Sequence, residues 1–325
     1  MKESLIVGID VSKSVLDVCF MPGELSMQIT NDQKGFQKWF RQCCSLMREG
    51  VEVLVILEHT GQYSLRFERF LQQQGIGYCK IAALAIKRSL GLVRGKTDNI
   101  DARRIAEYGW LRREILSADE YPSEQITQLQ GLISLRLQLV RTRSMYICRL
   151  KEMKASDNMI EEKIHRELIR VFDQKIKQVE QKIKDLLTSH SELEKTAELL
   201  RSIKGVGWIV AAHMIVCTQN FKRFRNARKF NCYAGIAPFK HESGSSIKGR
   251  ARISHLASKE TKALLNLAAL SAIRFDPEMK AYYQRRVAEG KNKMSCINII
   301  RAKLVARMFA VTKRQTPYKQ LAPAA

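Results

Sequence analysis

Short apolar runs alternate with segments of helical spacing along the first third of the chain. Leu5–Asp10 reads as a strand, and Val15–Met21 follows after a short polar turn that suits a hairpin. Leu25–Thr30 makes a third strand. Lys34–Arg48 carries Phe36, Trp39, Phe40 and Cys43 at helical spacing. Val51–Glu58 is almost continuously apolar, the pattern of a strand buried on both faces, and is the best candidate for the centre of a sheet. Tyr63–Gln73 is expected as a helix, Tyr78–Ala82 as a strand and Asp98–Leu116 as a helix with acidic residues at its start.

The pattern changes after Tyr121, Pro122 and Ser123, which places a boundary near residue 119. From Leu132 to Lys204 there is neither Gly nor Pro, and Phe172, Ile176, Val179, Ile183 and Leu186 recur at alternating spacings of four and three, as in a coiled-coil seam. Ala155–Asn158 is the weakest point, so two antiparallel helices are expected in place of one rod, with a role in dimerisation or assembly. Ile203-Lys-Gly-Val-Gly-Trp208 then resembles a helix-hairpin-helix turn ahead of an apolar helix, Ile209–Val216. Glycines there would let backbone approach a phosphate, which marks Lys204, Gly205 and Gly207, with the basic run Lys222, Arg223, Arg225 and Arg228 downstream, as nucleic-acid contacts. A Gly/Ser-rich loop, Glu242–Gly249, an Ala/Leu-rich helix from Ser254 to Arg274 and a basic helix from Lys293 to Lys313 follow. The expected division is 1–118, 119–198 and 199–325, with fold class α/β followed by all-α.

Composition narrows the partner. With 325 residues, 45% hydrophobic and 27% charged, the chain suits two or three globular domains and excludes a disordered or fibrous protein. The longest apolar stretches fall short of the roughly 18 residues a bilayer span needs, and there is no signal-peptide pattern. No membrane partner is expected. Eight cysteines without a Cys-x-x-Cys pair read as reduced thiols of a cytoplasmic protein. The net charge of +24 implies a polyanion, nucleic acid first, and residues 201–325 hold +20 of it.

The strand and helix order, βββαβα and then helices, is the ribonuclease H-like arrangement, in which the Val51–Glu58 strand runs beside the first. Asp10 and Glu58, each ending an apolar strand, then converge as carboxylates that burial would penalise without a cation. Asp98 and Asp101, spaced i and i+3, share one face of a helix. Four hard oxygen donors suit Mg²⁺, which commonly works in pairs in phosphodiester chemistry. Taken singly, Asp98 also suits a helix N-cap, and Asp101 an ion pair with Arg104 or Lys96. The segment Phe239–Arg250 combines hydroxyls, His241 and cations. A serine attacking phosphate would have Lys240, Lys248, Arg250 and Arg252 near in sequence to steady the transition state, and a plain Gly/Ser linker has the same composition.

Six motifs in order, Gly8-Ile-Asp-Val-Ser-Lys13, Glu58-His-Thr-Gly61, Lys96-Thr-Asp-x-x-Asp-Ala-Arg103, Ile203-x-Gly-Val-Gly207, Ala234-Gly-Ile-Ala-Pro238 and Glu242-Ser-Gly-Ser-Ser-x-x-Gly249, resemble the DEDD insertion-sequence transposases. That family includes Piv-type pilin-gene invertases. The resemblance implies a RuvC-like N-terminal domain, a coiled-coil middle and a C-terminal transposase domain. It assigns an acidic tetrad, Asp10, Glu58, Asp98 and Asp101, and a nucleophile, Ser243, with Ser245 and Ser246 as alternatives. It also implies a phosphoserine link to DNA, a Holliday-junction stage, a homo-oligomer whose acids and serine come from different protomers, and, as in several relatives, a structured noncoding bridge RNA that pairs with target and donor DNA. His59 stands where many relatives carry Ala. Two other readings remain open from the residues: a Mg²⁺-dependent junction resolvase that hydrolyses, and an architectural nucleic-acid-binding protein with inert acids.

Overall fold

The computed structural model describes residues 4–47, 51–58, 61, 63–89, 98–153, 159–243, 247–253 and 257–319, with side chains for all of these except 98, 99, 240–243 and 247–252. Contacts divide the chain into two compact units, 1–121 and 122–325. Among the described residues no helix is long and apolar enough to cross a membrane, and the eight cysteines are free thiols, four of them buried and Cys44 and Cys148 exposed.

The first unit is a five-stranded mixed sheet. Its strands are β1 (Ser4–Val11), β2 (Val15–Met21), β3 (Leu25–Thr30), β4 (Glu52–Glu58) and β5 (Gly77–Ile81), in the order β3-β2-β1-β4-β5. β1 pairs antiparallel with β2 and parallel with β4. Residues of a strand point alternately to opposite faces, and each face is covered differently. Leu5, Val7 and Ile9 meet helices α1 (Gln33–Leu46) and α2 (Leu65–Gln73), where Trp39 and Phe67 stack edge to face at 5.0 Å. Ile6, Cys19 and Ile56 meet α3 (Ala83–Ser89) and α4 (Asp98–Leu111) through Ile86, Ala102, Ile105 and Ala106.

Gly8 sets how closely α4 can approach. A Cβ there would lie 2.1 Å from the Ala106 amide nitrogen and 2.6 Å from the Ala102 carbonyl oxygen. Gly109 meets Ile56 and Ile6 in the same way, so small residues on both partners bring the helix onto the sheet. Gly8→Ala is therefore expected to destabilise the protein by about 1–3 kcal/mol, the usual cost of overpacking. A denaturant titration measures it; an unchanged midpoint would show that α4 does not rest on β1.

The second unit is almost all helix: α5 (Glu124–Glu152), α6 (Met159–Thr188), α7 (Ser191–Arg201), α8 (Trp208–Thr218), α9 (Ala227–Tyr233), α10 (Lys259–Phe275), α11 (Pro277–Ala288) and α12 (Lys293–Arg314), with one hairpin of β6 (Pro238–Ser243) and β7 (Ile247–Ile253). α5 and α6 run antiparallel, as the reversed order of their contacts requires: Arg136 to Glu180 at 2.7 Å, Arg143 to Asp173 at 2.6 Å, and Tyr146 on Phe172 with centroids 5.7 Å apart. The turn expected at 155–158 lies outside the described residues. The seam residues Ile176, Val179 and Ile183 are buried within the chain, and Val179, Ile183 and Leu187 join the core formed by α8, α10 and α12.

Three local readings need correction. The stretch expected as two helices up to residue 198 holds a further interruption. It breaks at Ser189 and His190, whose side chains compete for backbone carbonyls, with Ser189 Oγ donating to the Leu186 carbonyl at 3.1 Å. A separate α11 begins at Pro277, capped by the buried Asp276, which accepts from the Glu278 amide and pairs with Arg307 at 2.8 Å. The segment 242–249 is not a plain loop: its two ends belong to the β6–β7 ladder, and residues 244–246 between them lie outside the described residues.

Candidate active site and nucleic-acid interface

Asp10 follows Gly8 on the α4 side of the sheet, because alternation along β1 puts Ile6, Gly8 and Asp10 on one face. In the parallel ladder Ile9 stands opposite Leu57, and one residue further brings Asp10 alongside Glu58. Across the antiparallel ladder Asp10 faces Asp17, which is 9% exposed and accepts a hydrogen bond of 3.0 Å from Gln28. Motif reasoning missed Asp17, because only the length of the β1–β2 turn sets it opposite Asp10.

α4 runs back along β1, with Gly109 over Ile6 and Ala102 and Ala106 over Gly8. From Gly8 to Asp10 the strand advances about 6.6 Å, a distance that takes the helix about four residues. The first turn of α4, with Asp98 and Asp101, accordingly overlies the end of β1 that bears Asp10. Asp101 pairs with Arg104 at 2.8 Å, one of the two partners its spacing allowed. The side chain of Asp98 and residues 59 and 96 lie outside what is described. Among the described residues no three His, Cys, Asp or Glu stand close enough together to hold a metal ion.

The serine end of the chain is held from behind. Ser243 ends β6 opposite Ile247, and Glu242 stands opposite Lys248. Ser258 donates its amide to the Tyr233 carbonyl at 3.1 Å, which ties the hairpin's two stems together, and Asn298 of α12 donates to the Ile236 carbonyl at 2.8 Å, which ties the first stem to that helix. Gly235, at φ +65°, lies so close to Ala257 that a Cβ would come within 2.2 Å of it. Below the stems, Thr261 joins Ser258 at 2.8 Å and the His213 Nε2 at 2.9 Å, and Cys217 lies 3.2 Å from the same nitrogen. Burial pushes the His213 imidazole down to about 4, and the Cys217 thiol up, so both stay neutral near pH 7. Gly235 and Ile236 belong to the Ala234–Pro238 motif, whereas Tyr233, His213, Cys217, Ser258, Thr261 and Asn298 show no sequence signal. The side chains of Lys240, Ser243, Lys248, Arg250 and Arg252, and residues 245 and 246, lie outside the description.

The two glycines of the 203–208 turn differ. Gly205, at φ +97°, faces the Ala268 carbonyl of α10 at 2.6 Å from a would-be Cβ, so its closeness serves internal packing and not a phosphate. Gly207 caps α8 with open space beside it, and Arg201 stacks over the adjacent Trp208 at 3.8 Å. Lys204 precedes them in the same turn. Lys222 reaches Glu192 at 3.6 Å, Arg223 lies over Phe224 and Tyr233, and Arg225 and Arg228 are exposed.

A mixed sheet with acids at the end of its central parallel pair, followed by a strongly basic helical part, suits an enzyme that acts on nucleic acid. A sequence profile of IS110-type DEDD transposases matches residues 7–153, and the profile described as "Transposase IS116/IS110/IS902 family" matches residues 197–284. The pilin gene-inverting proteins of Moraxella bovis and Moraxella lacunata are each 28% identical across 96% of this chain and 97% of their own length. The insertion element IS110 uncharacterized 43.6 kDa protein of Streptomyces coelicolor is 29% identical over 45% of this chain and 35% of its own length. The chain belongs to the IS110 family of transposases, enzymes of DNA transposition and recombination. Its DEDD domain implies divalent-metal-dependent catalysis on a DNA substrate.

Proposed function

We propose that the protein is a site-specific recombinase that cuts and rejoins DNA through a covalent serine link. What supports this reading is that β1 and β4 run parallel with Ile9 opposite Leu57, so Asp10 and Glu58 end neighbouring strands, and that α4, which bears Asp98 and Asp101, packs on the same sheet at Gly8. Carboxylate oxygens are the donors a hard divalent cation takes; Asp10, Glu58 and Asp101 would draw together around it, with Asp101 exchanging Arg104 for it, and two Mg²⁺ ions would neutralise charge on the scissile phosphate. Ser243 Oγ attacks phosphorus, a P–Oγ bond forms and the bond to one deoxyribose oxygen breaks. The serine proton leaves to water, and the departing sugar hydroxyl gains one. Attack by a second strand's hydroxyl reverses these steps and restores the serine, so no nucleotide cofactor is needed. Exchange of two strand pairs in succession passes through a Holliday junction.

The parts divide as 1–118, a RuvC-like acid-bearing domain, 119–198, an assembly region, and 199–325, the transposase domain. The assembly reading rests on Met159, Ile160, Ile164 and Val171, which are 81, 77, 50 and 49% exposed on α6 although its seam is satisfied within the chain. A homo-oligomer that covers them would bring one protomer's acids to another's serine. Lys204, Gly207, Lys222, Arg223, Arg225, Arg228, Lys240, Lys248, Arg250 and Arg252 grip target and donor DNA and a structured guide RNA, with base pairing choosing the sequence. The test is a denaturing gel of end-labelled donor DNA, protein and Mg²⁺. Label retained on the protein and lost with chelator is expected; free cleaved strands alone would mark a hydrolytic resolvase.

A further inference from the structure

A cleft of about 700 Å³ opens in the second unit, and none of the serine hairpin's stem residues lines it. Phe221, Phe224 and Phe309 line it, together with three cations, Lys195, Arg225 and Lys313. Among the described residues no carboxylate pairs with any of those three cations. The one acid on the wall, Glu192, is already engaged by Lys222 and by the Asn220 amide at 2.9 Å. The cleft therefore carries uncompensated positive charge beside aromatic rings.

The rings are placed at a cost. Gln219, Asn220 and Phe221 adopt left-handed backbone in succession, with φ of 49°, 53° and 65°. Non-glycine residues visit that region singly as a rule, each at roughly 1–2 kcal/mol. The turn is held by the Asn220 amide on the Ile215 carbonyl at 2.8 Å and by the Phe221 amide on Thr218 Oγ1 at 2.9 Å. It sets Phe221 edge-on to Phe309, centroids 4.9 Å apart, at the cleft wall. The Asn220 side-chain oxygen, also at this wall, has no hydrogen-bond partner among the described residues.

We propose that this cleft binds one or two unpaired nucleotides of a nucleic-acid strand, with bases against the phenylalanines and phosphates on Lys195, Arg225 and Lys313. The volume is that of a small-molecule pocket and is too small to enclose a duplex. Ring faces stack on any base, and the cations follow the backbone. The inference rests on the recombinase reading for its substrate class: strand exchange exposes unpaired DNA, and a folded guide exposes unpaired RNA.

The test uses the full chain with single-stranded 12-mers carrying 5-iododeoxyuridine or 5-iodouridine, and a duplex of the same sequence. Photocrosslinks are expected in peptides that contain Phe221, Phe224 or Phe309, from the single strands and not from the duplex. Arg225→Ala/Lys313→Ala should weaken single-strand binding about tenfold and reduce the slope of log affinity against log salt by about 1.4. A stronger DNA arm assigns the cleft to exchanging DNA, a stronger RNA arm to a guide. Crosslinks confined to other peptides, unchanged affinity in the double variant, or equal competition by polyglutamate would overturn the proposal. The serine adduct is scored in parallel on donor DNA with Mg²⁺: adduct without cleft crosslinks defeats the cleft alone, and cleft crosslinks without adduct defeat the serine mechanism alone.

Discussion

Asp10→Asn should remove metal-dependent strand cleavage by a factor on the order of a thousand or more while leaving DNA affinity without metal unchanged. A metal clamp supplies several kcal/mol to a phosphoryl transition state, and each 1.4 kcal/mol is tenfold. The substitution keeps the shape of the side chain and removes its charge. It also keeps the strand pairing, because Asp10 lies inside the ladder that pairs Ile9 with Val18 and Leu57. The stability readout separates chemistry from folding. Asp10 faces Asp17 and sits alongside Glu58, and like charges on neighbouring strands repel. In the absence of metal the variant should melt no lower than the parent, and added Mg²⁺ should raise the parent's melting temperature more than the variant's. A variant that cleaves normally would remove Asp10 from the site; one that loses activity only with its fold would make it structural.

Ser243→Ala is the second large effect. Loss of a covalent nucleophile costs on the order of 10⁴-fold or more, because nothing else in the site replaces the bond it forms. The variant should yield no protein-linked DNA and no rejoined product, yet bind DNA as the parent does. Its stability should hold, since Ser243 ends β6 and the tethers observed at the stems run through Tyr233, Ile236 and Ser258. Ser245→Ala and Ser246→Ala should retain the adduct. If Ser243→Ala recombines normally while either of those fails, the nucleophile moves along the loop; if all three recombine, no serine of this segment attacks.

The first unit was readable because burial on two different faces writes a clear period. The apolar run before Glu58 can only be a central strand, and the hairpin of β1 and β2 follows from apolar runs flanking Ser12, Lys13 and Ser14. That the strand ending in Asp10 runs beside the strand ending in Glu58 was legible from strand order alone. Asp17 was not, because its place opposite Asp10 depends on register across that turn, which one residue of slip would move to the other face. The docking of α4 was legible only in part: acids at i and i+3 are visible in the sequence, whereas the roles of Gly8 and Gly109 become visible only when helix and strand meet. In the second unit, serine and histidine stopped a helix where neither Gly nor Pro marked an end. Composition suggested a linker at 242–249, and long-range pairing with residues up to Ile253 turned its ends into strands. The left-handed turn at 219–221 falls on Gln, Asn and Phe, so the usual glycine signal was missing there.

Anomalous diffraction from crystals of the full chain soaked in Mn²⁺ addresses the metal claim with the least intervening inference. Peaks about 2.1–2.2 Å from carboxylate oxygens of both Asp10 and Glu58, with Asp98 or Asp101 completing the shell and Arg104 displaced from Asp101, are the predicted result. Maps with no manganese between the ends of β1 and β4, and with Asp101 still paired to Arg104 at saturating metal, would contradict it.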